Sequence, residues 1–265
     1  MKKSVFALLA LLILFTLEIY GSEQFKVLHQ VTGPIETNCY LIYDLKSREA
    51  ALVDPGGPVA TLTDFIKANR LQLKYIFITH QHIDHTIGVP DIKSMFPKAK
   101  LCMHKDEYRD FFTQKEWATK NYGPEWVAEG RKNPEIAKFF DFDEKLLKMP
   151  EIFVEDNQTF TLGSLKIRTI LCPGHSPAGT CYAAGNVLFS GDVLFYRTVG
   201  RIDTQNGSKE EQIKSVRKLY SMFPDATVVY PGHGQFTDIG SEKRENKRIT
   251  LDGGEWCPPA QAKSN

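Results

Sequence analysis

Four side chains of the kind that hold transition metals, His80, His82, Asp84 and His85, fall within six residues of the run 79–86 (THQHIDHT). Residues 75–79 (YIFIT) just before them form a short apolar, β-branched and aromatic run, which predicts a buried strand. A chain built this way must bring a strand end to a shared point, and three further segments repeat the arrangement. Pro173-Gly174-His175 follows a predicted strand at 165–171, Ser190-Gly191-Asp192 follows 187–189, and Pro231-Gly232-His233-Gly234 follows 227–230. Glycine beside each ligand-type residue lets the backbone turn sharply and pass close to an ion. Each loop alone reads equally well as a solvated turn. Four of them converging predict a metal site. Imidazole and carboxylate suit Zn²⁺, which takes about four ligands, so the first cluster could saturate one cation and the other loops could complete a second.

The segments between these loops alternate strands and helices. Residues 38–43 and 50–53 read as paired strands, 60–69 and 89–96 as helices, and 99–103 as another strand. In the second half, 159–162 with 165–171 and 180–184 with 187–190 read as hairpins around Gly163-Ser164 and Gly185-Asn186. Ser208 and Glu211 have capping-box spacing and open a helix with Ile213, Val216, Leu219 and Tyr220 inward. This order predicts an α/β fold of two packed sheets covered by helices on both outer faces. Between the halves, residues 105–150 are charged yet hold Trp117, Trp126, Phe111, Phe112, Phe139 and Phe140, and break at Gly123-Pro124 and Asn133-Pro134. They read as a helical insertion, either an outer layer or a lid over the site.

The N-terminus carries Lys2 and Lys3, then fourteen apolar residues at 4–17, then Glu18 and the small pair Gly21-Ser22. That pattern predicts a secretory signal at 1–21. Ile19-Tyr20-Gly21 is a poor cleavage site, so an uncleaved membrane anchor is the other reading, although a spanning helix wants about 20 apolar residues. The expected location is therefore exported, periplasmic or secreted, or tethered facing outside. The domain itself is placed at 25–250 and a tail at 251–265. With 33 basic and 32 acidic residues the net charge is +1, which offers no broad attraction for nucleic acid. The five cysteines, 39, 102, 172, 181 and 257, are too few and scattered for a disulfide scaffold. Cys172 and Cys181 flank one loop and could approach each other. Burial as small core residues is the expectation for most of the five.

HxHxDH, PGH, GD and PGHG in this order resemble the metallo-β-lactamase superfamily, with the match running from about Asn38 to Ile249. The resemblance implies an αββα sandwich with a dinuclear site at one sheet edge. It implies that His80, His82 and His175 hold one divalent metal, that Asp84, His85 and His233 hold the other, and that Asp192 bridges them. The metals would be zinc, with iron or manganese as alternatives, and would activate a bridging hydroxide that Asp84 orients or deprotonates. Gly191-Asp192-Val193-Leu194-Phe195 followed by Gly200-Arg201-Ile202-Asp203 is similar to the glyoxalase II (hydroxyacylglutathione hydrolase) group and to persulfide dioxygenases. Dioxygenases use one iron and usually read PAHD where this chain has Pro231-Gly232-His233-Gly234, which favours hydrolysis. Residues 237–246 resemble small single-domain glyoxalase II-like members, without the helical domain that grips glutathione. The function implied is hydrolysis of a small-molecule thioester or ester. Lactonase or β-lactamase activity, or a non-catalytic metal-binding domain, are the alternatives. Arg201 and Asp203 are substrate-side candidates, or else a buried ion pair that shapes the loop.

Overall fold

The computed structural model describes residues 20, 21 and 23–250. The apolar N-terminal run, the 251–265 tail and Cys257 lie outside the described residues.

Two sheets face each other. The first has the spatial order β1 (Tyr20–Gly21), β2 (Phe25–Thr32), β3 (Thr37–Asp44), β4 (Glu49–Val53), β5 (Gln72–Phe77), β6 (Lys100–Met103) and β7 (Ile152–Phe153). It is antiparallel through β4 and parallel from β4 to β7. The second has the order β15 (Thr237–Asp238), β14 (Val228–Pro231), β11 (Val187–Gly191), β10 (Thr180–Ala184), β9 (Leu165–Leu171) and β8 (Thr159–Leu162). β11 and β14 are its parallel pair. A short ribbon, β12 (Leu194–Phe195) with β13 (Thr198–Val199), follows β11.

Strand alternation sorts side chains into three apolar layers. Along β3, Tyr40 and Ile42 point into the layer between the sheets, where they meet Phe77, Phe160, Tyr182 and Phe189. Cys39 and Leu41 point the other way, toward α1 (Ala60–Ala68), α3 (Val89–Met95) and α4 (Lys105–Phe111). The outer face of the second sheet packs Leu188 and Val229 on Val216, Leu219 and Tyr220 of α8 (Lys209–Met222) and Ile239 of α9 (Ile239–Glu245). This is the expected αββα sandwich. The four described cysteines are free and buried, and the Cys181 thiol donates to the Ser190 carbonyl at 3.6 Å.

The hairpins and the main helices fall where their sequence patterns put them, with three informative differences. The predicted strand at 75–79 starts at Gln72 and stops at Phe77. The Thr79 amide donates to the Asp54 carboxylate at 2.8 Å, which takes it out of the ladder. The unexpected N-terminal strand Phe25–Thr32 lacks a clean apolar alternation, because polar His29 follows Phe25 and Val27 on the inward face, opposite Tyr40, and Gln30 follows Leu28 on the other. The capping box of α8 is only half made: the Ser208 hydroxyl accepts from the Glu211 amide at 3.3 Å, but the Ser208 amide donates to the Gly174 carbonyl at 2.7 Å. The helix start is thereby tied to the 173–175 loop.

Candidate metal centre

All the ligand-type loops leave the carboxyl ends of strands at one edge, the place where α/β sheets hold ligands. Cross-sheet bonds fix that edge: Thr180 N to Thr79 O at 2.8 Å, Asn38 N to Gly232 O at 2.7 Å, and Tyr40 Oη to Pro231 O at 2.6 Å. His80 lies in a bend after β5, and His82 (φ −59°, ψ 143°) immediately precedes α2 (Ile83–Thr86). Asp84 and His85 sit in α2, a single turn that swings them to a neighbouring point. Gly232 shows why glycine is needed beside a ligand, since a methyl there would lie 2.1 Å from Asp192 Oδ1.

The structure gathers all seven predicted residues into two groups of ligand atoms, His80, His82, His175 and Asp192 in one and Asp84, His85 and His233 in the other. His82 Nδ1 lies 3.0 Å from both His80 Nε2 and His175 Nε2. His85 Nε2 and His233 Nε2 are 3.3 Å apart, and Asp84 Oδ2 is 3.1 and 3.3 Å from them. Donors about 2.0–2.1 Å from one tetrahedral ion sit roughly 3.3–3.4 Å apart, so both groups have the spacing of a coordination shell. Asp192 faces both, with Oδ2 3.4 Å from His175 Nε2 and 3.7 Å from His233 Nε2, and Oδ1 3.5 Å from His85 Nε2. Its Oδ1 is buried without a hydrogen-bond partner.

Second contacts set the tautomers. His175 Nδ1 donates to the Arg201 carbonyl at 2.7 Å and His233 Nδ1 to the Ile35 carbonyl at 3.0 Å. His85 Nδ1 donates to Asp54 Oδ2 at 2.9 Å. The Thr79 hydroxyl donates to Asp54 Oδ2 at 2.7 Å and so accepts from His80 Nδ1 at 3.0 Å. In each neutral ring the Nε2 lone pair is left pointing at the shared centre, the usual arrangement behind metal-ligating histidine. The residues fit a metal pair.

Sequence reasoning missed three of these supports. Asp54, which orders His80 and His85, lies in Asp54-Pro55-Gly56-Gly57 after β4, a strand-end loop of the same kind as the others. Thr37 donates its hydroxyl to Asp84 Oδ2 at 2.9 Å. Glu107 of α4 is buried and accepts from the Gln81 amide (2.9 Å), the Ala178 amide (2.7 Å) and the Ser176 hydroxyl (2.6 Å), clamping the loops of His82 and His175 together. Burial pushes Glu107 up to about 7 despite those three donors.

Electrostatics divide the two groups. Burial holds His82 down at about 3 and His175 at about 4, and keeps His80 well below its usual value, so these rings stay neutral. Burial opposes charge on His85 as well, yet Asp84, Asp192 and Asp54 hold it well above its usual value. Asp84 is likewise buried, and His85 and His233 keep its carboxyl well below the usual carboxylate range. Three carboxylates around one imidazole draw positive charge, which a proton or a cation satisfies.

The sequence pattern of the metallo-β-lactamase superfamily matches residues 32–233. The chain belongs to the metallo-β-lactamase superfamily. Among curated relatives it is 30% identical over 214 residues to hydroxyacylglutathione hydrolase GloC of Haemophilus influenzae, covering 80% of this chain and 92% of that protein. It is 29% identical over 227 residues to the probable polyketide biosynthesis zinc-dependent hydrolase BaeB of Bacillus velezensis, covering 86% and 84%. Among solved structures it is similar to TTHA1623 in a di-iron-bound form, with a TM-score of 0.64, 25% identity, and 83% and 98% of the two chains covered. The superfamily is one of metal-dependent hydrolases, and this chain carries its His/Asp metal-binding cluster.

On this superfamily scaffold the insertion contributes α4, α5 (Gln114–Tyr122), α6 (Pro124–Gly130) and α7 (Pro134–Asp141). It covers the site: Trp117, Tyr122, Phe139 and Phe140 line the same cavity, of about 590 Å³, as His82, Asp84, His175, Asp192 and His233. Both readings of 105–150 find a place: α4 packs in the outer layer through Phe111, while α5 to α7 line the cavity over the site. Arg201 and Asp203 form a two-bond ion pair (2.7 and 2.9 Å), and both side chains are more than half exposed. The buried-pair reading is therefore corrected. Arg201 Nη2 donates to Tyr122 Oη at 3.0 Å and Tyr122 Oη donates to the Asp203 carbonyl at 2.6 Å, so the pair fastens α5 to the loop after Asp192. Arg201→Ala is expected to cost about 1 kcal/mol or less, as an exposed pair does, while raising KM for a substrate held under α5. Thermal melting beside steady-state kinetics checks this, and a large loss of stability with unchanged KM would contradict it.

Proposed function

We propose that the protein is an exported, dinuclear metal-dependent hydrolase of thioesters or related esters. The carrying observation is the Asp192 carboxylate, which faces both ligand groups with one oxygen lacking any hydrogen-bond donor. His80, His82 and His175 would hold one metal, Asp84, His85 and His233 the other, and Asp192 would be shared. The zinc-dependent and di-iron-bound descriptions of relatives support two cations of this class. When bound, they supply Lewis acidity toward an acyl carbonyl and a water nucleophile ionised near neutral pH. Asp84 is fixed by Thr37 and by its imidazole neighbours, so it acts as ligand and orienting acceptor, and its low pKa makes it a poor proton store. Pro231-Gly232-His233-Gly234, where one-iron dioxygenases usually read PAHD, favours hydrolysis.

Export rests on the N-terminal charge and apolar pattern. No helix among the described residues is long and apolar enough to cross a membrane. Cell fractionation with N-terminal sequencing decides location and cleavage. For the chemistry, metal analysis should give about two ions per chain, and metal-loaded protein should cleave members of a thioester and ester panel. A single iron with oxygen uptake on a persulfide would replace the reading with a dioxygenase.

A further inference from the structure

We propose that the helical insertion builds an apolar acyl chamber over the metal centre, so that the preferred substrates carry an uncharged alkyl or aryl acyl group. The proposal deepens the hydrolase reading and rests on it for the bond that is cleaved. Its basis is the orientation of two helices. In α5, Gln114, Trp117 and Ala118 stand at i, i+3 and i+4, and in α7 Ile136, Phe139 and Phe140 do the same, which places each set on one helix face. All six line the cavity above His82 and His175.

An apolar helix face normally finds a core. Here no residue of α5, α6 or α7 is buried, so the apolar faces are turned on the cavity. Aromatic contacts hold the wall together: Trp117 against Tyr122 at 5.4 Å, Tyr122 against Trp126 at 4.9 Å and Trp126 against Phe140 at 5.6 Å between ring centres. Phe195, beside His233, closes the metal side.

The two cations that line the cavity are already engaged. The Lys115 ammonium donates to the Phe142 carbonyl and lies 3.9 Å from Glu144, and Arg201 is paired with Asp203. An acidic acyl group would have to compete with these acceptors for either cation. A cavity of this size takes a drug-sized group. Each methylene it desolvates contributes about 0.8 kcal/mol, or roughly fourfold in kcat/KM when burial is complete.

The test is a chain-length series on metal-loaded protein, using acetyl, butanoyl, hexanoyl and octanoyl thioesters of N-acetylcysteamine. We expect kcat/KM to climb two- to fourfold per methylene, on the order of 10²-fold or more from acetyl to octanoyl. The octanoyl-to-acetyl ratio should fall at least about tenfold in Phe140→Ala, a change outside the buried core. Values flat within about threefold across the series would overturn the chamber while leaving the hydrolase reading intact. Cleavage of none of them beside cleavage of other thioesters or esters in the panel would overturn the chamber, and cleavage of nothing in the whole panel would instead remove the hydrolase reading. A binding measurement then judges the chamber alone: octanoate, but not acetate, should change tryptophan emission of the metal-free protein, and Phe140→Ala should weaken that response. An equal response to both acids, or none, would overturn the proposal.

Discussion

Asp192→Ala is expected to lower turnover by on the order of 10³-fold or more without unfolding the chain. The carboxylate faces both ligand groups, so its loss takes one donor from each and removes the group that sets their separation. Metal content should fall from about two ions to one or fewer. Asp192 Oδ1 is buried with no hydrogen-bond partner, so deleting it orphans no buried donor. It does remove a negative charge that helps to keep His85 and His233 protonated, so near neutral pH the metal-free variant should melt somewhat lower than the metal-free parent while still folding. What should shrink is the rise in melting temperature on adding zinc, since binding to the folded state alone stabilises by mass action, about 2.7 kcal/mol at a hundredfold excess over Kd. Wild-type turnover at saturating metal would sink the shared-ligand assignment.

Sequence alone carried the ligands and left out what aims them, and the physical reason is distance along the chain. His80, His82, Asp84 and His85 announce themselves by crowding, and His175, Asp192 and His233 by a glycine next to a ligand-type residue at a strand end. Asp54 follows the same rule, yet it sits beside Pro55 and Gly56 and reads as an ordinary turn until Thr79 and His85 arrive from 25 and 31 residues away. Glu107 carries no local mark at all. Its three partners come from loops on either side of the site, and its helix looks from sequence like a charged surface element. The sheets were legible because apolar alternation is local. The role of residues 105–150 was not, because the apolar spacing of α7 does not say whether its face meets a core or a cavity. Arg201 and Asp203 show the same limit, since adjacency fixed their pairing and only the fold brought Tyr122 to them.

Asp54→Asn should have the second largest effect, a fall in metal affinity of about 10–100-fold or more, by reversing donors without changing shape. The carboxylate accepts three hydrogen bonds: the Thr79 amide at Oδ1, and the Thr79 hydroxyl and His85 Nδ1 at Oδ2. An asparagine oxygen can keep the amide, which places its NH₂ group against two donors. His85 then relieves the clash by moving its proton from Nδ1 to Nε2, the atom 3.1 Å from Asp84 Oδ2 that must offer a lone pair to a metal. The Thr79 hydroxyl relieves it by turning to accept from the new NH₂ group, and its hydrogen then points at His80 Nδ1. That drives the His80 proton to Nε2 as well, so one substitution disables a ligand in each group. The same logic in a serine-protease triad removes about 10⁴ in kcat through the wrong histidine tautomer. Competition with a chelator should show both sites weakened together, and nitrogen NMR of the imidazoles should find the protons of His80 and His85 on Nε2. Donor–donor conflict costs about 1–3 kcal/mol if the rings do not switch, so a variant that melts lower but keeps Nδ1 protons and full zinc affinity would refute the tautomer argument.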